Sequence, residues 1–244
     1  MYLKPTLFFF FIFYIGGQQA SGQLASSPLF EVDGRFIKPY TNQWKTTRVD
    51  SNGKKTLVYK LWTDYGQVIE LDGVKYFHRV QDLYNASGQI VDSWTNLVEH
   101  RTLLPKMTQR ISPTGRFMHV VFSPDKIQGR IPKAPQGIES TTVNIALRQP
   151  LYDWTLYGML LVGLPLKPQA QYTLPCINLF TGKEIQLEAT VKNKETVVGA
   201  KGKKLKAWRV ETNQNMVFWL SKKAPYVIRL EYTVGSAVLV WEML

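Results

Sequence analysis

The C-terminal part of the chain, residues 206–244, contains four runs in which apolar and polar side chains alternate. A period of two is typical of a strand with one buried face. Turn residues separate the runs at 213–215, 222–225 and 235–236. This part therefore predicts an antiparallel meander of four strands. The residues predicted to share one face of the third run are Tyr226, Ile228, Leu230, Tyr232 and Val234.

Alternating runs of the same kind occupy much of the preceding chain. Residues 44–50 and 54–62 flank Asn52-Gly53, and Asn-Gly between alternating runs is a strong signal for a β-hairpin. We expect a mainly β protein, with an antiparallel curved sheet or half-barrel and a buried covering helix. The further predicted strands are 29–37, 67–71, 74–83, 89–98, 106–111, 116–122, 141–147, 175–180, 184–191 and 195–198.

One helix is predicted, from about residue 152 to 162. Asp153 suits a first helical turn, and Gly163 and Pro165 suit the end of a helix. The segment is apolar nearly all round, which is typical of a buried helix. We expect it to pack on the inner face of the curved sheet. A helix that dips into lipid is the alternative.

Proline and glycine are concentrated between residues 123 and 140, which predicts a loop or a boundary there. At 244 residues, the chain has the size of one large β domain or of two closely packed ones. We expect residues 23–244 to form a single β-rich domain, with a subdivision near 123–140 as the alternative.

Residues 1–22 have the pattern of a signal peptide: Lys4, a short apolar run over 7–15, and small residues before Gln23. We therefore expect an exported protein in the periplasm or at the outer membrane, with no transmembrane span after cleavage. The only cysteine, Cys176, is predicted to be a small buried apolar residue. Because no cysteine follows the apolar run directly, we do not expect a lipoprotein.

The formal net charge is +12, and removal of Lys4 with the signal peptide leaves +11. For an exported chain, anionic lipid or acidic glycan is a more suitable counter-surface than nucleic acid. A basic surface without a dedicated partner is equally compatible with this charge. The residues predicted to bind an anionic surface are Lys201, Lys203, Lys204, Lys206, Lys222 and Lys223.

No motif for catalysis, metal binding or nucleotide binding stands out. The histidines His78, His100 and His119 lie in separate predicted strands or at their edges, without the spacing of a helical zinc site. The acidic residues Asp64 and Glu70 are close in sequence but lack a diagnostic arrangement. We expect no cofactor, no metal and no catalytic residue. The oligomeric state stays open.

The chain resembles the exported bacterial proteins grouped as domain of unknown function 3108, over residue 44 to the end. The resemblance implies an all-β sheet curved around helical cover, similar to the half-barrel of periplasmic lipoprotein carriers, and no known catalytic residues. The aromatic strands look like those of a Bacteroidetes protein. The segments that carry the resemblance are Thr102-Leu-Leu-Pro105, Leu164-Pro-Leu166, Lys206-Ala-Trp-Arg-Val-Glu211, Phe218-Trp-Leu220 and Pro225-Tyr-Val-Ile-Arg-Leu-Glu231.

We therefore expect a non-enzymatic envelope protein that binds a lipid or another hydrophobic ligand in a groove of the curved sheet. An envelope scaffold that uses its basic loops is the alternative, and an enzyme acting on glycans, with two carboxylates in one cleft, is the third hypothesis. The candidate groove residues, each of which also suits an ordinary core, are Trp154, Met159, Trp208, Phe218, Ile228, Leu230 and Tyr232.

Overall fold

The computed structural model describes residues 32–134, 137–199 and 202–244, so the predicted signal peptide lies outside the described residues. Within them, fifteen strands form one sheet. The strands are β1 (Tyr40–Val49), β2 (Lys55–Leu71), β3 (Val74–Tyr84), β4 (Ile90–Glu99), β5 (Pro105–Ile111), β6 (Phe117–Phe122), β7 (Lys126–Pro132), β8 (Ser140–Ala146), β9 (Tyr152–Asp153), β10 (Gln171–Asn178), β11 (Lys183–Val198), β12 (Lys204–Thr212), β13 (Met216–Leu220), β14 (Val227–Val234) and β15 (Ala237–Met243).

The sheet consists of two meanders joined in the middle. Strands β1 to β8 follow one another outward on one side, and β15 to β10 follow one another outward on the other, with β1 paired to β15. Neighbours are antiparallel except for the short strand β9, which is parallel to β10. The sheet is curved but does not close into a barrel, because β8 and β9 form its two edges. The expected curved, mainly β architecture is confirmed.

Alternation accounts for the first hairpin as well as for the C-terminal meander. In β1, Tyr40, Asn42, Trp44 and Thr46 are buried, while the residues between them are exposed. The Asp50 carboxylate closes the following turn by accepting the N–H groups of residues 52 and 54, both at 2.9 Å. The predicted hairpin and the four-strand meander are both confirmed.

Some predicted boundaries are wrong. The predicted strand 29–37 is absent over its described part, residues 32–37. Residues 123–140, predicted as a loop or boundary, contain β7, which pairs with β6 and β8. The helical segment is shorter than predicted: residues 152–153 form β9, Trp154–Leu156 is a 3-10 turn, and the helix α1 spans Tyr157–Gly163.

Helix α1 lies on the inner, concave face of the sheet and fills part of it. Its residues Met159 and Leu160 are at most 1% exposed. Glycine allows the helix to approach closely, because a Cβ at Gly158 would lie 2.8 Å from Val227 Cγ2, and one at Gly163 would lie 2.2 Å from Val32 Cγ1. This burial confirms a covering helix and excludes the alternative of a helix that dips into lipid. No helix among the described residues has the length and apolarity needed to cross a bilayer.

A β-bulge in β14 changes which residues share a face. Trp219 pairs with Arg229 and Leu220 pairs with Val227, so Ile228 is an extra residue between them. Ile228 therefore points to the outer, convex face, where it packs against Trp219 and Ala207. The prediction that Ile228 shares a face with Leu230 and Tyr232 is wrong for this reason.

Candidate functional site

Tryptophan is concentrated on the concave face. Six of the seven tryptophans lie there, and Trp219 lies on the convex face. Beside the part that α1 covers, eight aromatic side chains, one of them from the first residue of α1, form what we call the aromatic collar. These residues are Tyr59, Trp62, Trp94, Trp154, Tyr157, Phe180, Tyr232 and Trp241.

Edge-to-face contacts link the collar in two arcs. On one side, Trp62 lies 6.1 Å from Tyr59 and 5.8 Å from Trp241, measured between ring centroids. On the other side, Phe180 lies 5.9 Å from Trp94 and 5.4 Å from Trp154. Trp154 then reaches Tyr157 at 5.9 Å. These are the distances at which aromatic pairs attract one another.

The two arcs approach each other at both ends. Burial raises the pKa of Tyr157, and the nearby groups that raise it further include the hydroxyl of Tyr232. Burial also raises the pKa of Tyr59, which interacts electrostatically with Asp92 and Arg110. Arg110 also lies over Trp94, at 4.9 Å from the ring centroid, so it interacts with one residue of each arc.

The collar differs from the region under α1 in its exposure. Seven of its eight members are half-buried, and only Tyr157 is fully buried. Beneath the helix, by contrast, Phe218 is 3% exposed and Leu220 is inaccessible. Helix α1 therefore fills one part of the concave face, and seven collar side chains beside it keep part of their surface exposed to solvent.

An ion pair lies in the collar wall. Arg110 Nε donates to Asp92 Oδ1 at 2.9 Å, and Nη2 donates to Oδ2. Two aromatic rings contact the guanidinium, since its central carbon is 4.9 Å from the Trp94 centroid and 5.3 Å from that of Phe180. Arg110 is 5% exposed and Asp92 is 6% exposed. The Nη1 atom of Arg110 has no hydrogen-bond partner within the protein.

Further buried polar atoms on this face also lack a protein partner. A buried polar group without a hydrogen bond costs roughly 1–3 kcal/mol, and native proteins contain few of them. In the described residues only one such side-chain atom, Arg209 Nε, lies outside the concave face. The atoms on the concave face are Trp44 Nε1, Thr46 Oγ1, Asn96 Oδ1, Arg110 Nη1, Trp154 Nε1, Tyr157 Oη and Trp241 Nε1.

A second ion pair lies next to α1 and is fully satisfied. Asp64 receives two hydrogen bonds of 2.8 Å from Arg79 and one of 3.1 Å from the Tyr40 hydroxyl. Burial alone would lower the pKa of Arg79, but Asp64 and Tyr40 together outweigh burial, so the pKa is raised. The amide oxygen of Gln81 accepts from Arg79 and from Trp62 Nε1, each at 3.0 Å. Asp64 is therefore occupied by Arg79 and is not paired with Glu70, which is exposed.

A third polar cluster fixes the start of the helical segment. Asp153 is inaccessible and accepts hydrogen bonds from the Thr108 hydroxyl, from Asn96 Nδ2 at 3.3 Å and from the N–H of Thr155 at 2.9 Å. Burial raises the pKa of Asp153 above its ordinary value of 3.8. The cluster joins β4 and β5 to the 3-10 turn, which places Trp154 and Tyr157 in the collar.

The groove candidates are divided among three places. Trp154, Leu230 and Tyr232 lie at the half-buried region, with Leu230 beside Trp241. Met159 and Phe218 belong to the filled core around α1. Trp208 packs against the same core, beside Leu220 and under Lys194, whose Nζ is 4.8 Å from the ring centroid. Ile228 lies on the convex face.

The candidates predicted from the sequence did not include seven residues of this region: Tyr59, Trp62, Trp94, Arg110, Tyr157, Phe180 and Trp241. A usable signal was present, because tryptophans recur at face-sharing positions of several predicted strands. Their convergence depends on pairing between strands that are far apart in sequence, such as β1 with β15.

The basic candidates are also divided. Lys203, Lys204, Lys206 and Lys223 are exposed, and Lys201 lies outside the described residues. Lys222 is exposed as well, but its ammonium group has hydrogen-bond partners within the protein.

The ammonium of Lys222 donates to the main-chain carbonyls of Val162 and Leu164, the latter at 2.6 Å, and lies 4.6 Å from the centroid of Phe36. Burial lowers the pKa of Lys222 to about 8. The charged group of Lys222 therefore holds the end of α1, and its binding to an anionic surface stays a prediction.

Two surface depressions lie away from the collar. One, of about 540 Å³, is lined by residues of β1, Ala224, Pro225 and the C-terminus. The other, of about 460 Å³, lies beside Arg35, Lys75 and Glu99. Neither contains a candidate groove residue. Within the described ranges, no group of three or more histidine, cysteine, aspartate or glutamate side chains is arranged to hold a metal ion.

The solved structures that match the chain have low sequence identity to it. A β-barrel-like protein of domain of unknown function DUF1849 from Brucella abortus is 13% identical, with a TM-score of 0.42, covering 85% of this chain and 96% of that chain. A candidate lipoprotein from Parabacteroides distasonis is 11% identical, with a TM-score of 0.32, covering 89% of this chain and 100% of that chain.

None of the curated proteins matches the chain. The family model described as protein of unknown function (DUF3108) matches residues 45–241, which is most of the chain. The chain therefore belongs to the DUF3108 family.

Proposed function

We propose that this protein is a non-enzymatic binding protein of the bacterial cell envelope that holds a ligand with an apolar body inside the aromatic collar. The observation that carries the proposal is the half-buried state of seven collar residues on a concave face. A ligand seated there would remove their remaining apolar surface from water.

The energetics of such a site are sufficient for specific binding. Each buried methylene group contributes about 0.8 kcal/mol, so a chain of roughly eight methylenes contributes about 6 kcal/mol. Aromatic side chains supply large, rigid contact surfaces at a low cost in conformational entropy. The filled region beneath α1 limits the ligand to the part of the concave face that the collar surrounds.

A half-barrel similar to that of periplasmic lipoprotein carriers, which the sequence resemblance implies, is part of this proposal. In such a carrier, a curved sheet shields the apolar part of its cargo from water during transfer. Location in the periplasm or at the outer membrane follows from the signal-peptide pattern of residues 1–22 and is part of the same proposal.

A scaffold that binds anionic lipid or glycan is the second candidate. Lys203, Lys204, Lys206 and Lys223 are exposed, and the chain carries a net charge of +12. Such binding would weaken strongly between low and high salt, whereas capture of an apolar chain would change little.

A matched pair of variants on β2 tests the collar. Tyr59 lies on the concave face in contact with Trp62, and Tyr65 lies on the convex face with 43% exposure. We expect Tyr59→Ala to weaken binding of 1-hexadecanol about tenfold, because it removes a wall of the site, and Tyr65→Ala to change it less than twofold. Isothermal titration calorimetry on the folded proteins provides the measurement.

Two results would contradict the proposal. One is the absence of 1-hexadecanol binding to the wild-type protein. The other is an equal effect of the two substitutions, which would place the alkyl chain outside the collar.

A further inference from the structure

We propose that the end of the β11–β12 hairpin docks this protein on an anionic lipid bilayer. This inference goes beyond the proposed function, because it concerns the surface on which the protein sits and not the ligand that the collar holds. Of the two anionic surfaces considered above, lipid and glycan, it commits to lipid. It is carried by the position of the hairpin in the sheet and by the side chains on its two faces.

The end of this hairpin projects beyond the neighbouring strands. Strand β10 pairs with β11 only as far as Thr190, and β13 pairs with β12 only from Trp208 onward. Past these points, β11 and β12 pair only with each other, up to Val198 and Lys204. We call residues 194–199 and 202–207 the ribbon. No strand of the described chain flanks the ribbon, so it extends from the sheet as a separate contact element.

One face of the ribbon is covered by the protein itself. Val197 lies opposite Leu205, and Glu195 lies opposite Ala207. Ala207 is 1% exposed, and Val197 and Leu205 pack against the cluster that contains Ala207 and Trp219. This apolar contact holds the ribbon in place and leaves its other face free for an external surface.

The other face of the ribbon is basic and exposed. Lys206 lies opposite Thr196, and Lys204 lies opposite Val198. Lys194 belongs to the same face, because it precedes Thr196 by two residues in the strand. All five of these side chains are exposed. Cross-strand pairing therefore brings three ammonium groups together on one face of the ribbon.

The positive charge of this face is not neutralised within the protein. Among the described residues, Lys194, Lys204 and Lys206 take part in no ion pair. The carboxylate that the described part of the ribbon does contain, Glu195, lies on the covered face. There it accepts a hydrogen bond from Trp219 Nε1 at 2.9 Å and lies 3.7 Å from Nη1 of Arg209. An anionic surface would neutralise the three lysines.

An exposed apolar side chain distinguishes a bilayer from an acidic glycan. Val198 is 62% exposed and lies on the basic face, directly opposite Lys204. A surface that combines basic and apolar side chains is typical of binding at the lipid interface, where the cations meet the head groups and the apolar group enters the acyl boundary. An acidic glycan has no apolar layer and would leave Val198 in water. The composition of this face therefore favours lipid.

The ribbon and the collar lie toward opposite ends of the sheet. Because neighbouring strands are antiparallel, the β13–β14 turn and the segment before β10 lie at the end from which the ribbon projects. They add the exposed side chains of Lys223 and Lys167 to this end. The collar residues Tyr232, near the end of β14, and Phe180, between β10 and β11, lie toward the other end. Docking through the ribbon therefore leaves the collar accessible from the aqueous side.

Flotation with lipid vesicles tests the docking. The purified protein is mixed at low salt with vesicles of phosphatidylglycerol and phosphatidylcholine in equal amounts, or with vesicles of phosphatidylcholine alone. We expect at least about tenfold tighter binding to the mixed vesicles, because each lysine near an anionic surface contributes about a fivefold increase in affinity. The binding should weaken steeply as salt is added, since salt screens exposed charges. Equal binding to the two kinds of vesicle would overturn the proposal.

Two double variants with the same change in net charge locate the contact. The first, Lys204→Gln with Lys206→Gln, changes the ribbon. The second, Lys54→Gln with Lys55→Gln, changes two exposed lysines at the β1–β2 turn, which lies at the opposite end of the sheet. We expect binding to the mixed vesicles to fall about 25-fold in the first and less than about threefold in the second. Equal losses would overturn the proposal, because net charge and not the ribbon would then determine binding.

The substitution Val198→Ser tests whether the partner is a bilayer. We expect about threefold weaker binding to the mixed vesicles and unchanged binding to heparin, an acidic glycan, because only the bilayer takes up an apolar side chain. Unchanged binding to the vesicles would overturn the assignment to lipid, and loss of heparin binding in the ribbon double variant would then identify an acidic glycan as the partner. All of these variants should bind 1-hexadecanol as the wild type does, so failure of the docking is distinguishable from failure of the proposed function.

Discussion

Lys222 donates its ammonium group to the main-chain carbonyl of Leu164, at 2.6 Å, and so joins the turn between β13 and β14 to the end of α1. The carbonyls at the end of a helix have no partner inside the helix, and a cation there also interacts favourably with the helix dipole. Lys222 therefore fixes the helix against the sheet near the end of the concave face that lies away from the collar.

The substitution Lys222→Met should destabilise the protein by about 1 kcal/mol, the net contribution of a typical intramolecular hydrogen bond. Methionine keeps an apolar stem near Phe36, so the loss reports on the ammonium group. Urea unfolding followed by circular dichroism measures the change. The neighbouring substitution Lys223→Met removes the same charge from an exposed side chain and should cost less than 0.5 kcal/mol. Equal losses of stability in the two variants would show that Lys222 does not hold the helix.

The architecture was predictable where local pattern and turn chemistry agree. Alternation with turn residues at 213–215 and 235–236 defined the C-terminal meander, and Asn52-Gly53 defined the first hairpin. Strand β7 was not predicted, because proline and glycine residues such as Pro124, Gly129 and Pro132 are typical of a loop. Gly129 has a φ of +146°, and a Cβ there would lie 2.0 Å from the carbonyl oxygen of His119, so glycine is required inside this strand.

The site was less predictable than the fold. Periodicity assigns residues to faces, but a single bulge moved Ile228 to the convex face. Periodicity also carries no information about which strands pair with each other. The collar combines Trp62 of β2, Trp94 of β4 and Trp241 of β15. Nor could composition reveal that Lys222 is directed at the end of a helix.

Asp153 should make the stability of the protein depend on pH. Burial raises its pKa above the ordinary value of 3.8, so the folded state binds a proton more tightly than the unfolded state. This contribution to stability is present at low pH and is lost as the pH rises from about 4 through the raised pKa.

The substitution Asp153→Asn removes that titration while keeping an acceptor for the N–H of Thr155. The free energy of unfolding of the variant, relative to wild type, should therefore rise between pH 4 and pH 7 when both are measured by urea unfolding. If the free energies of unfolding of the two proteins changed with pH in the same way, the result would contradict a raised pKa at Asp153.

Gly66 makes room for the stacked rings of Tyr40 and Phe77, whose centroids are 6.0 Å apart. A Cβ at residue 66 would lie 2.6 Å from an atom of each ring, so Gly66→Ala should destabilise the protein by about 1–3 kcal/mol through overpacking. Thermal unfolding of Gly66→Ala and of Gly66→Ala combined with Phe77→Leu checks the cause. The smaller leucine should recover part of the loss, and a simple sum of two separate losses would argue against a steric origin.

The buried pair of Asp64 and Arg79 should show strong coupling in a double-mutant cycle. Asp64→Ala leaves the guanidinium of Arg79 buried without its carboxylate, which should cost about 3–5 kcal/mol. Arg79→Met leaves a buried carboxylate and should have a cost of similar size. The double variant removes both charges, so its loss of stability in urea unfolding should be well below the sum of the two single losses. Additive losses would mean that the two charges do not depend on each other, and that Gln81 and Tyr40 alone satisfy them.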